Sequence, residues 1–134
     1  MKTIPMSQFG RDHWSVFAYI ETLCVDNKGV PDHDRMRTNP KTHPGLVGPR
    51  IAIMKRSWKP EYGSRLRGHA IDKPVQRLNH DDWDCADDLV AAGLIESNGT
   101  GINPWFTLTK TGLAIAAALR QHKASGGSFS NFTP

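Results

Sequence analysis

Between Asp12 and Cys24 the apolar positions recur at three- and four-residue steps, so that His13, Val16, Phe17, Ile20, Leu23 and Cys24 share one face of a helix. Glu21 and Thr22 fall on the opposite face, Asp12 is placed to accept hydrogen bonds from the free amides of the first turn, and Asp26-Asn27-Lys28-Gly29 ends the element. A second helical period runs from residue 81 to 92. There Trp83, Ala86, Leu89 and Val90 form the apolar face, and Asp84, Asp87, Asp88 and Ala91 form the other, so its aspartates are expected to point mostly outward. Ala92-Gly93 closes this helix, and Leu94-Ile95-Glu96 begins a strand. Asn98-Gly99-Thr100-Gly101 carries hairpin-turn chemistry, and Trp105-Phe106-Thr107-Leu108 returns as a second strand. Thr109 caps a last helix whose inward positions are Gly112, Ile115, Ala116 and Leu119.

The middle of the chain follows neither period. Gly29-Val30-Pro31 reads as a short extended piece, and residues 32–37 as one or two helical turns stopped by Asn39-Pro40. Prolines at 40, 44, 49, 60 and 74 and glycines at 45, 48, 63 and 68 then break every element except a short strand at 50–54. Residues 38–80 are therefore expected to be a long, largely irregular insertion, partly ordered by Trp58, Tyr62 and Leu66. The 134 residues fit one α+β domain over 1–123, followed by a Gly- and Ser-rich tail at 124–134, expected to be flexible although Phe129 and Phe132 offer it anchors. Cys24 and Cys85 each fall on a predicted helix, outside any CxxC spacing, and are expected to be buried thiols. With no apolar run of membrane-spanning length and no apolar core near Met1, the expectation is a cytoplasmic protein without a membrane partner.

The order helix, Ala-Gly-Leu-Ile, strand, glycine turn, strand, Leu-Thr-x-x-Gly, helix over residues 81–122 resembles the C-terminal half of a bacterial winged-helix domain. Leu108-Thr109-Lys110-Thr111-Gly112 would end the wing and open the closing helix. The resemblance implies that residues 12–24 are the first helix, 32–37 the second, 81–92 the third and 99–103 the wing tip. It departs from the family in the roughly 40 residues between helices two and three and in the acidity of the third. The runs Phe9-Gly10-Arg11-Asp12-His13-Trp14-Ser15 and His80-Asp81-Asp82-Trp83-Asp84-Cys85 also resemble small uncharacterised proteins of bacterial plasmids and prophages.

Charge sharpens this picture. The net formal charge is only +4, but residues 35–79 hold eleven Lys/Arg against two Asp/Glu, and residues 80–96 hold none against six. Arg50, Lys55, Arg56, Lys59, Arg65 and Arg67, interleaved with Trp58 and Tyr62, suit phosphate neutralisation and base stacking. The leading expectation is a nucleic-acid-binding regulator or accessory factor of a bacterium or mobile element, with DNA favoured over RNA. The alternative is an adaptor or inhibitor that offers Asp84, Asp87 and Asp88 of the acidic helix to a basic protein surface. Asp81, Asp82 and Asp84 also suit a helix N-terminus electrostatically, and Asp87 and Asp88 are expected to pair with the basic insertion. A metal-dependent hydrolase built on Asp32, His33, Asp34, His80, Asp81, Asp82 and Asp84 is a third reading, set aside because no metal-ligand spacing such as HExxH occurs. No enzymatic activity, cofactor or metal is therefore expected, and homodimerisation through the terminal segments is left open.

Overall fold

The computed structural model describes residues 3–31, 36–39, 41–43, 45, 80–99 and 103–134. Their order is α1 (Arg11–Asp26), α2 (Asp82–Ala91), β1 (Ile95–Gly99), β2 (Pro104–Leu108) and α3 (Lys110–Ala124), with single 3-10 turns at Met6–Gln8 and Phe129–Asn131. Three helices and a two-stranded antiparallel sheet make this a mixed α+β fold; Ile95 pairs with Leu108 and Gly99 with Pro104 at the two ends of the ladder.

Helix α1 is central. Its expected apolar face is buried, and so are Glu21 and Thr22, which the helical period places on the solvent side. They are covered because α2, α3, β2 and the C-terminal 3-10 turn pack around α1, so no side of its middle faces water. Glu21 resolves its charge by an ion pair with Arg120 of α3. Asp12 does not cap the helix as expected: the cap position is Gly10, whose N–H donates to His13 Nδ1 at 3.3 Å.

The hairpin and α3 follow the sequence pattern closely. Thr109 caps α3, its Oγ1 accepting from Gly112 N–H (2.9 Å) while its hydroxyl donates to Gly93 O (2.6 Å). Thr109 N–H also donates to Leu94 O (3.1 Å). A Cβ on Gly112 would overlap Leu94 O, so the glycine of the Leu-Thr-x-x-Gly run is what lets the first turn of α3 lie against the strand entrance. Gly112, Ala116 and Leu119 are buried and Ile115 half-buried, as their spacing predicts. Where an extended piece is expected at 29–31, Gly29 instead belongs to the turn that ends α1 and lies beside β2, its O accepting from Phe106 N–H at 2.9 Å; a Cβ on Gly29, at φ +80°, would collide with the Phe106 backbone.

Two further expectations change. The tail at 124–134 docks instead of remaining free: Phe129 and Phe132 are buried, Phe132 stands edge-on to Trp14 (centroids 4.8 Å apart), and His122 Nε2 contacts Ser128 O (2.8 Å) and Asn131 Oδ1 (2.7 Å). Two aromatic rings outweigh the flexibility that the Gly-Gly pair suggests. Of the helical turns expected at 32–37, residues 32–35 lie outside the described residues, and Met36 and Arg37 are buried but not helical. The strand expected at 50–54 and most of the insertion also lie outside.

Candidate functional site

The N-terminal half of α2 gathers most of the polar chemistry of the described residues. Its cap is made by two aspartates acting on each other: Asp81 Oδ1 accepts from Asp84 N–H (2.9 Å) and Asp84 Oδ2 accepts from Asp81 N–H (3.0 Å). Both ends of the basic insertion meet here, residues 36–39 and 41–43 on one side and His80 on the other.

Asp81, Asp82, Asp84 and Asp88 are buried, each at 1% exposure or less, which corrects the expectation of an outward acidic face. The solvent stripe of α2 is instead Asp87, Val90 and Ala91, spaced three and four apart. Val90, assigned inward from the sequence, is 37% exposed. The helical period locates a stripe but cannot reveal that a polar loop covers its flank.

Each buried carboxylate has its own partners. Asp82 receives Arg37 through the backbone N–H (2.7 Å to Oδ2), Nε (3.2 Å to Oδ2) and Nη2 (3.0 Å to Oδ1), and Arg37 Nη2 also reaches Asp12 Oδ1 (2.9 Å). The Arg37 side chain is fully buried, and its two carboxylate partners raise its pKa against the opposing effect of burial. Asp88 takes both His13 Nε2 (2.8 Å) and His80 Nε2 (2.7 Å) on Oδ2, and Ile4 N–H (2.9 Å) on Oδ1. Because His13 Nδ1 accepts from Gly10, its proton is on Nε2 and is donated to Asp88. Phe9 stacks on the same imidazole at 4.3 Å between centroids.

The remaining cluster is open. Asp81 Oδ2 accepts from Asn39 N–H (2.8 Å) and from His43 Nδ1 (2.8 Å), which leaves His43 Nε2 facing Asp84 Oδ1 at 3.7 Å. Asp84 Oδ1 is buried and, among the described residues, accepts no hydrogen bond. Burial raises the Asp84 carboxyl above its usual range; the neighbouring Asp81 backbone bond and the imidazoles of His43 and His80 act in the other direction. Partial desolvation likewise raises Asp87. A cavity of about 230 Å³ opens beside them, lined by His43, Asp87, Trp83, Ala86, Pro104 and Phe106.

The sequence groups Asp84, Asp87 and Asp88 together, but the structure gives them different situations: Asp87 exposed and lining the cavity, Asp84 buried near His43 and Asp88 closed in by two histidines. Arg50, Lys55, Arg56, Trp58, Lys59, Tyr62, Arg65 and Arg67 lie outside the described residues, as do Asp32, His33 and Asp34. The sequence pattern places His13 only on the apolar face of the first helix and Arg37 only in the turns at 32–37, and it does not single out His43. The one available signal is that five aspartates in eight residues exceed what a helix N-terminus accommodates, which requires cationic partners from elsewhere in the chain. Both cysteines are thiols, Cys85 buried and Cys24 half-buried; burial and the nearby Glu21 raise the Cys24 pKa. Among the described residues no helix is long and apolar enough to cross a membrane. In comparisons with protein-family models, curated proteins and solved structures, the chain matches none.

Proposed function

We propose that the chain is a small winged-helix-like protein that binds nucleic acid, DNA in preference to RNA, as a non-enzymatic regulator or accessory factor of a bacterium or mobile element. The order of α1, a turn at Gly29 hydrogen-bonded to β2, α2, the β1–β2 hairpin and α3 supports the winged-helix part of this reading. In it α2 is the third helix and the hairpin is the wing.

The observation that carries the functional part is the radial sorting of charge. Of the eight Asp and Glu side chains whose burial is described, six are buried and only Asp87 and Glu96 are exposed. Of seven Lys and Arg, only Arg37 is buried; Lys28, Lys41 and Lys110 are exposed, and Arg11, Arg120 and Lys123 are partly so. An acidic third helix would repel phosphate if its aspartates faced outward. With four of five turned in, that repulsion is largely removed, and among the described residues the charge left at the surface is mostly basic. Arg50, Lys55, Arg56, Lys59, Arg65 and Arg67 would then neutralise phosphates, and Trp58 and Tyr62 would stack on bases. The adaptor reading keeps only Asp87 of its three carboxylates as an exposed contact.

Binding to arbitrary duplex DNA measured across a salt series tests the proposal. Affinity should fall steeply with salt, and changing Arg56, Arg65 and Arg67 together to Ala should weaken binding and reduce the log–log slope by about 3. Binding that is absent at low salt, or unaffected by the triple change, would reject it.

A further inference from the structure

We infer that His43, Asp84 and Asp87 form a binding site for a divalent transition cation of the zinc type, opening onto the cavity beside β2.

His43 Nδ1 faces a carboxylate oxygen, Asp81 Oδ2, which can only accept, so Nδ1 carries the proton and is the donor. In the neutral ring Nε2 then presents a lone pair, and it faces Asp84 Oδ1, another acceptor, at 3.7 Å. Two acceptors pointed at one another across that gap, one of them buried and without a hydrogen bond among the described residues, would both be satisfied by a positive species between them.

The spacing and the surroundings favour a metal ion over a proton alone. Zinc-to-nitrogen and zinc-to-oxygen bonds of roughly 2.0–2.2 Å at a tetrahedral angle separate neighbouring ligands by about 3.4 Å, within a few tenths of the gap observed. Asp87 supplies a third ligand from the next turn of α2, and ligand atoms of all three residues lie within 4.8 Å of one another. The Asp81–His43 hydrogen bond is the outer-shell contact that orients a ligating imidazole and fixes its tautomer. An imidazole with two carboxylates selects a borderline cation over magnesium or calcium. Because Asp87 and His43 line the cavity, the fourth position faces space that a water or an oxygen of an anionic ligand would fill.

The cluster of His13, His80 and Cys85 also brings ligand atoms within 4.8 Å, but Asp88 engages Nε2 of both its histidines and Gly10 engages the other nitrogen of His13. It is closed by hydrogen bonds where the first cluster is open.

The test is calorimetric titration of the full chain, stripped with chelator, with Zn²⁺ alone, alongside melting curves with and without the ion. One Zn²⁺ per chain, at least tenfold tighter than Mg²⁺, with a raised melting temperature is expected. Asp84→Asn keeps an oxygen for the helix cap and should stay folded by circular dichroism, yet weaken Zn²⁺ at least tenfold; His43→Gln should do the same. Cys85→Ser should leave binding unchanged. No Zn²⁺ uptake, undiminished uptake by folded Asp84→Asn, loss through Cys85→Ser instead, or equal affinity for Mg²⁺ would each overturn the assignment.

Discussion

Two His–Asp clusters sit on the same helix, and they differ in how their hydrogen-bonding capacity is used. At Asp88 three donors, from Ile4, His13 and His80, converge on one carboxylate, and every contact is between a donor and an acceptor. At Asp84 the arithmetic fails: Oδ1 is buried facing His43 Nε2 with no donor between them. Composition does not distinguish the two. Counting donors and acceptors does, and it separates a carboxylate whose contacts are all satisfied from one with an oxygen that accepts no hydrogen bond among the described residues.

Breaking the buried triad of Arg37, Asp12 and Asp82, which reaches the helix of both clusters through Asp82, should cost most. Arg37 joins α1 to α2 through Asp12 and Asp82, and Arg37→Ala leaves two buried carboxylates without their cation. A loss of about 3–5 kcal/mol is expected in chemical denaturation. A loss below 1 kcal/mol would show that the triad does not hold these helices together. The open side should respond with the opposite sign. With chelator present, Asp84→Asn removes a charge that is costly to bury, so the variant should melt higher than the parent at neutral pH, by an amount on the order of 1 kcal/mol or less.

The pH dependence follows from the same group. Burial raises the Asp84 carboxyl in the folded state, so the folded chain holds that proton to higher pH than the unfolded chain. Its favourable contribution is present below the ordinary aspartate pKa and is lost as pH rises through the raised folded value. The advantage of Asp84→Asn should accordingly shrink to nothing near pH 3.5. An advantage that instead grew on acidification would contradict the sign.

Much of the scaffold was legible because it is local. The α1 face, the glycine closure of α2, the hairpin at 95–108 and the Thr109–Gly112 cap each involve residues a few positions apart, where helical period and turn chemistry apply directly. The inward aspartates were not legible, because their partners are distant: Arg37 is 45 residues from Asp82, His43 is 38 from Asp81, and His13 is 75 from Asp88. A single-helix pattern also assumes one dry face and one wet face. That assumption fails for α1, which is covered on every side through its middle, and for α2, whose flank is covered by Arg37, Asn39 and His43. The tail was legible only in part: composition at 124–128 suggests a linker, while the two anchors named from the sequence, Phe129 and Phe132, find a surface made by α1 and α3.

The account turns on the acidic helix facing inward, and adjacent residues test it most directly. Asp87→Asn and Asp88→Asn alter the same charge one position apart, so thermal denaturation of the pair in chelator compares an exposed carboxylate with one that holds His13, His80 and the Ile4 amide. The melting temperature of Asp87→Asn should match the parent's, and Asp88→Asn should lose about 1–3 kcal/mol. Equal effects at the two positions, or a larger loss at Asp87, would mean that Asp88 is no more enclosed than Asp87 and that the acidic helix does not face inward.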